Sequence, residues 1–253
     1  MVFTDGNDGE QRRPKGDLMV RHKDAIVPEC DMGDIVAFET NPHYVYTCGD
    51  GTKSYNWVHG GDYVKGGNTY EPQLEHFTRQ YVYLLPNTFV VYDRAVGVKA
   101  GYRKVWQLHS WTEPTVSADT ITTKQGEGQL TCMTLLPENP VMKKELQELT
   151  GSESTRADIW RVTVEREAPV KEEQFLHVIH VGDASGYRKP DAARVDGDGT
   201  VGAEITADEM TYTVTFNTTG PVGGHVTVKK GAETLIDKDL TTEVQPQTGY
   251  TVE

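Results

Sequence analysis

Basic residues are scarce in this 253-residue chain: 25 Lys and Arg stand against 38 Asp and Glu, a net charge of −13. Phosphate-backbone binding needs a basic patch, so the balance excludes nucleic acid as an expected partner, although a local basic groove stays open. Cysteine is scarce as well. Cys30, Cys48 and Cys132 are widely spaced, odd in number and without a CxxC pair. That excludes a disulfide framework and a structural zinc site, and the expectation is buried free thiols inside strands. No apolar run is long enough to span a bilayer, so no membrane partner is expected. Residues 1–20 lack a signal-peptide core. The chain is therefore expected to be cytoplasmic as written, or a piece of a longer secreted protein. The motifs GxSxG, HExxH, GxxxxGK[ST] and GxGxxG are all absent, and neither a cofactor nor a metal is expected.

What the chain does contain is short apolar-alternating segments with Gly, Pro, Asn and Asp between them. Strands are predicted at 34–39, 43–48, 78–85, 88–94, 103–109, 116–122, 129–136, 159–165 and 174–181, then at 201–206, 211–216, 225–230, 233–237 and 243–246. Such spacing predicts an all-β fold, a large antiparallel β-sandwich followed by a small second β-unit. The sandwich is placed at 1–185, and the linker and small C-terminal unit at 186–253, with Pro190 and the DGDG run marking the change. Only PVMKKELQEL, at 140–149, has helical spacing, and it predicts a short helix.

The stretch FTRQYVYLLPNTFVVYDR, at 77–94, predicts a hairpin about a two-residue Pro86-Asn87 turn, pairing Leu84 with Phe89 and Val82 with Val91. Neither face is polar, so both should be covered, or the Tyr-rich face should line a groove.

Candidate chemistry is sparse. His43 opens a strand and Asp50 follows it, a pairing that could orient an imidazole for proton transfer, with Tyr44 beside it. His109 stands between Trp106 and Trp111, where aromatics could form a sugar platform or pack in the core. His177 and His180 are three apart on a predicted strand, hence on opposite faces and poorly placed to share a metal. Asp196 and Asp198 in DGDGT resemble the start of a calcium loop, but the remaining ligands are missing. The Gly-rich stretch 59–73 reads as a loop in which His59, Tyr63, Lys65 and Tyr70 could contact substrate through stacking and one cation.

Five phrases occur in order: GDIVAFET, YVYTCGDGTKSY, FTRQYVYLLPNTFVVYDRAV, YRKVWQLHS and LTCMTLLPENP. Together with NDGEQRRP at 7–14 they resemble the C-terminal β-sandwich region of the heparinase II/III-like polysaccharide lyases. The resemblance implies a parent enzyme that cleaves uronic-acid polysaccharides, glycosaminoglycans among them, by β-elimination. One group neutralises the uronate carboxylate, a base takes the C5 proton, and an acid protonates the leaving oxygen. The family carries its catalytic Tyr and His mainly on a helical toroid and its metal-binding His at the start of the sandwich. Neither segment is found in this sequence, and HKDA at 22–25 falls after NDGEQRRP, so no catalytic or metal residue is carried over. Asp50, Tyr55, Arg79, Asp93, Arg94 and His109 match positions of the sandwich framework.

The leading expectation is a sandwich fragment of a periplasmic or extracellular lyase, serving as scaffold or sugar-contacting module for an acidic polysaccharide. A homodimer through an exposed sandwich face is expected where a covering half is missing. The alternatives are a complete small enzyme, requiring a His, a Tyr and an Arg that converge in one cleft, and a stand-alone carbohydrate-binding module. The second alternative requires exposed coplanar rings among Trp57, Tyr63, Trp106 and Trp111.

Overall fold

The computed structural model describes residues 2–4, 33–56, 73–147 and 158–246. The fold is all-β and its sheets are antiparallel. The central sheet has eight strands. In sheet order they are β2 (Asp34–Thr40), β3 (Tyr44–Asp50), β4 (Leu74–Leu84), β5 (Thr88–Gly97), β12 (Glu172–Asp183), β9 (Gly128–Leu136), β8 (Thr120–Gln125) and β7 (Thr115–Ser117). A four-stranded sheet runs β1 (Val2–Thr4), β6 (Arg103–Ser110), β11 (Ile159–Glu165), β10 (Val141–Gln147). A five-stranded meander follows: β13 (Asp191–Gly197), β14 (Thr200–Ala207), β15 (Met210–Asn217), β16 (Gly224–Lys230) and β17 (Glu233–Leu240). One short helix, α1 (Thr52–Asn56), follows β3.

Alternation along the strands turns these sheets into three layers. On β12, Leu176 and Val178 point one way and share a core with Val201, Ile205, Val214 and Phe216 of the five-stranded sheet. Phe175 and Ile179 point the other way and pack with Trp106, Val162 and Val164 of the four-stranded sheet. The central sheet is thus buried on both sides at β12, which is why FLHVI reads as a continuous apolar run rather than an alternating one. Phe175 and Phe216 are fully buried, and each contributes about 2–3 kcal/mol.

Polar side chains stitch the five-stranded layer to the central one. Glu39 accepts from Tyr44 Oη at 2.8 Å and from Lys238 Nζ at 2.8 Å. Gln80 Oε1 accepts from Tyr46 Oη at 2.7 Å and from the Gly223 amide at 2.8 Å. Arg94 donates to the Asn217 and Gly220 carbonyls at 3.2 and 2.9 Å. Tyr92 stacks on Phe216 with ring centroids 5.0 Å apart. Cys48 and Cys132 are buried free thiols, and Cys30 lies outside the described residues.

Several local expectations are corrected. The β4–β5 hairpin pairs Tyr83 with Phe89 and Leu84 with Thr88, so its connection has three residues rather than two. The Leu85 amide donates to the carbonyl of His43, just ahead of β3, and the Asn87 carbonyl accepts from Val181 on β12, so the turn's polar groups are spent on neighbouring segments. PVMKKELQEL forms no helix over its described part; 141–147 is strand β10, paired in full with β11. A ten-residue helix is marginal alone, and the open edge of β11 satisfies more backbone groups. The single strand predicted at 116–122 is the β7–β8 hairpin, turning at Ala118, whose φ is 49°. Within the predicted linker 185–200, Asp191–Gly197 is strand β13, and its Asp198-Gly199 pair is the two-residue β13–β14 turn, with Gly199 at φ 68°. Strand 243–246 reduces to a single parallel bridge between Val244 and Phe38.

Candidate functional site

The structure does not bring the sequence-derived candidates together. His43 lies just before β3 and Asp50 at its far end, so the strand, about 20 Å long by its rise, separates them. Asp50 instead accepts from the Thr52 amide at 2.9 Å at the start of α1. Tyr44 is fully buried between the central and five-stranded sheets. Burial first, and then the Glu39 carboxylate, push its phenol well above the usual range and keep it protonated. His109 is exposed on the outer side of β6, across from Arg161. Trp106 points inward and stacks on His177 at 3.9 Å, so it cannot flank His109. Trp111 is 56% exposed, which leaves it and Trp106 on different surfaces rather than on one platform. His59, Tyr63, Lys65 and Tyr70, with Trp57, lie outside the described residues.

The hairpin's outward face carries Arg79, fixed in a two-bond fork to Asp93 at 2.6 Å for each bond. Its guanidinium lies 5.9 Å from the Phe77 and Tyr81 rings. Tyr81 is 37% exposed and Asp93 is fully buried, so this pair closes the hairpin and leaves one Tyr at the surface.

Two histidines on β12 have different roles. His177 is fully buried among Trp106, Phe175, Cys132 and Thr134, with Nδ1 3.1 Å from Thr134 Oγ1. Burial, then Arg79, push its pKa down to about 3, so it is neutral. His180 lies on the opposite face, its Nδ1 2.8 Å from Thr88 Oγ1, and burial also lowers its pKa.

His180 floors a groove of about 810 Å3 that opens where the central and five-stranded sheets part. The β4–β5 turn, the end of β12, the connector through Tyr187–Asp191 and the β14–β15 hairpin line it. Tyr187 donates its hydroxyl to the His180 carbonyl at 3.1 Å and meets the His180 ring edge-on at 5.5 Å. Arg188 approaches Asp208 at 3.8 Å, with both side chains over 80% exposed. A His, a Tyr and an Arg therefore share one groove, but the Tyr hydroxyl is committed to backbone and burial raises its pKa. Such a set can bind and orient a polar ligand, and its Tyr is not free to act as the acid. Among the described residues no group of three His, Cys, Asp or Glu is placed to hold a metal ion.

Sequence reasoning passed over this groove because His180 read as an ordinary sheet histidine and 185–200 as a linker. The usable signal was a His near a strand end followed within ten residues by the phrase GYRKPD.

The sequence matches no family model and no curated protein. Solved structures do match. The heparan sulfate lyase HepC from Pedobacter heparinus is similar over 74% of this chain, with a TM-score of 0.53 and 14% identity. A mutant of that enzyme is similar over 83% of the chain, with a TM-score of 0.52 and 14% identity. The heparinase III BT4657 gene product is similar over 73%, with a TM-score of 0.52 and 13% identity. The chain spans 28%, 28% and 27% of those chains, respectively. It therefore has the fold of a β-sandwich region of heparinase-like lyases.

Proposed function

We propose that this chain is the β-sandwich portion of a heparinase-like polysaccharide lyase, a scaffold and sugar-contacting module whose β-elimination chemistry resides elsewhere in a parent enzyme. The observation that carries the reading is the shared fold over most of the chain, against just over a quarter of the lyases it resembles. The site geometry supports a non-catalytic role. Tyr44 is sealed in the core, His109 and His43 stand apart, and in the His180 groove the Tyr187 hydroxyl is committed to backbone. Substrate in this reading is a uronic-acid polysaccharide, met in the periplasm or outside the cell. Electrophoresis of the purified chain through gels containing heparan sulfate, hyaluronan, alginate, pectate or neutral dextran tests it. Retardation by at least one uronate polymer and not by dextran is expected. Equal mobility in every gel would overturn the sugar-contacting role.

A further inference from the structure

We propose that the groove beside His180 binds an unsulfated pyranose residue, seated on the Tyr187 ring and held through its hydroxyls by His180 and a rim of mixed charge. The choice of a saccharide rests on the lyase relationship proposed above; the preference for an unsulfated one comes from the groove.

Tyr187 is a rigid platform. Its hydroxyl is tied to the His180 carbonyl at 3.1 Å, and its ring lies over Gly182, where an added Cβ would come within 3.3 Å of ring carbon Cδ2. A ring already fixed in place loses little freedom when a sugar face stacks on it. His180 is fixed too, since Thr88 Oγ1 holds Nδ1 at 2.8 Å. Its Nε2 has no hydrogen-bond partner among the described residues, and the side chain is part of the groove lining. The rim carries two cations, Arg188 and Lys189, and three carboxylates, Asp183, Asp191 and Asp208. A sulfated residue would bring anionic groups against those three carboxylates. A hydroxyl-rich ring instead donates to carboxylates and accepts from cations, using both signs at once. The volume, about 810 Å3, suits a ligand of one to a few sugar units.

Titration of the full chain with three tetrasaccharides tests this: a neutral N-acetylglucosamine oligomer, a hyaluronan oligomer and a fully sulfated heparin oligomer. Saturable binding of the two unsulfated probes, tighter than heparin, is expected. Tyr187→Ala should weaken them about tenfold, Tyr187→Phe should retain the ring and most of the affinity, and Arg188→Ala, at an exposed position, should weaken them without disturbing the fold. Tighter binding of heparin, no binding of either unsulfated probe, or equal affinity in wild type and both Ala variants would each overturn the groove. A chain that is retarded in uronate gels but shows one of those results loses the groove and keeps its place as a lyase module. A chain that no uronate polymer retards loses the sugar-contacting role itself.

Discussion

At the scale of single residues, the histidines of β12 and β16 respond to pH in opposite directions. Burial holds His177 at a pKa of about 3, below its unfolded value near 6.5. The unfolded chain therefore binds a proton that the folded chain refuses, and stability falls as pH drops from about 6.5 towards 3. The full effect is on the order of 4–5 kcal/mol, a large part of a typical domain's stability. Urea unfolding at pH 7 and pH 4.5 should show a steep loss, and His177→Gln, neutral at both values, should flatten it. His225 behaves oppositely. Its two nitrogens each lie 2.8 Å from a carboxylate oxygen, of Asp239 and of Asp237, and those bonds raise its pKa. Its contribution is complete below the unfolded pKa and is lost as pH rises through the folded one. The site is exposed, so this contribution is small.

At the scale of elements, two glycines of the five-stranded sheet separate conformational strain from collision. Gly199 sits at φ 68° in the β13–β14 turn with open space where a Cβ would go. Gly199→Ala should cost about 1 kcal/mol, the strain alone. A Cβ on Gly202, in β14, would run into the Val214 carbonyl oxygen on β15. Gly202→Ala should therefore cost several times as much, and paired thermal melts of the two variants measure the difference. Arg94→Ala removes a buried guanidinium and its bonds to the Asn217 and Gly220 carbonyls. A loss of about 2–4 kcal/mol in denaturant unfolding is expected. These contacts also show what the sequence could and could not reveal. Most strands were legible, because alternation and turn residues are local; β13 was missed, because the DGDG run that forms its turn reads as a linker. β10 was not legible, because its strand state depends on the free edge of β11. The β4–β5 register was not either, because the turn's polar groups bond to His43 ahead of β3 and to β12. The groove was hidden for the same kind of reason, since His180, Tyr187 and Asp208 meet only when the five-stranded sheet folds back on the central one.

At the scale of the whole molecule, three stacked β-layers with a buried central sheet explain why acidic composition and modest hydrophobic content, 36%, suffice for a folded chain. Two apolar clusters flank that central sheet, and the charges that are buried, Glu39, Asp93 and Arg94 among them, are held by hydrogen bonds. No helix among the described residues is long and apolar enough to cross a membrane. The whole chain is proposed to be a sugar-contacting module, with its β-elimination chemistry elsewhere. An eliminase assay tests that account most directly: the purified chain is mixed with heparan sulfate, hyaluronan, alginate and pectate, and the ultraviolet absorbance of the unsaturated uronate product is followed. The account predicts no rise above the polymer blanks from this chain alone. A steady rise that His109→Ala, His43→Ala or His180→Ala abolishes would contradict it, and would place the lyase chemistry in the sandwich itself.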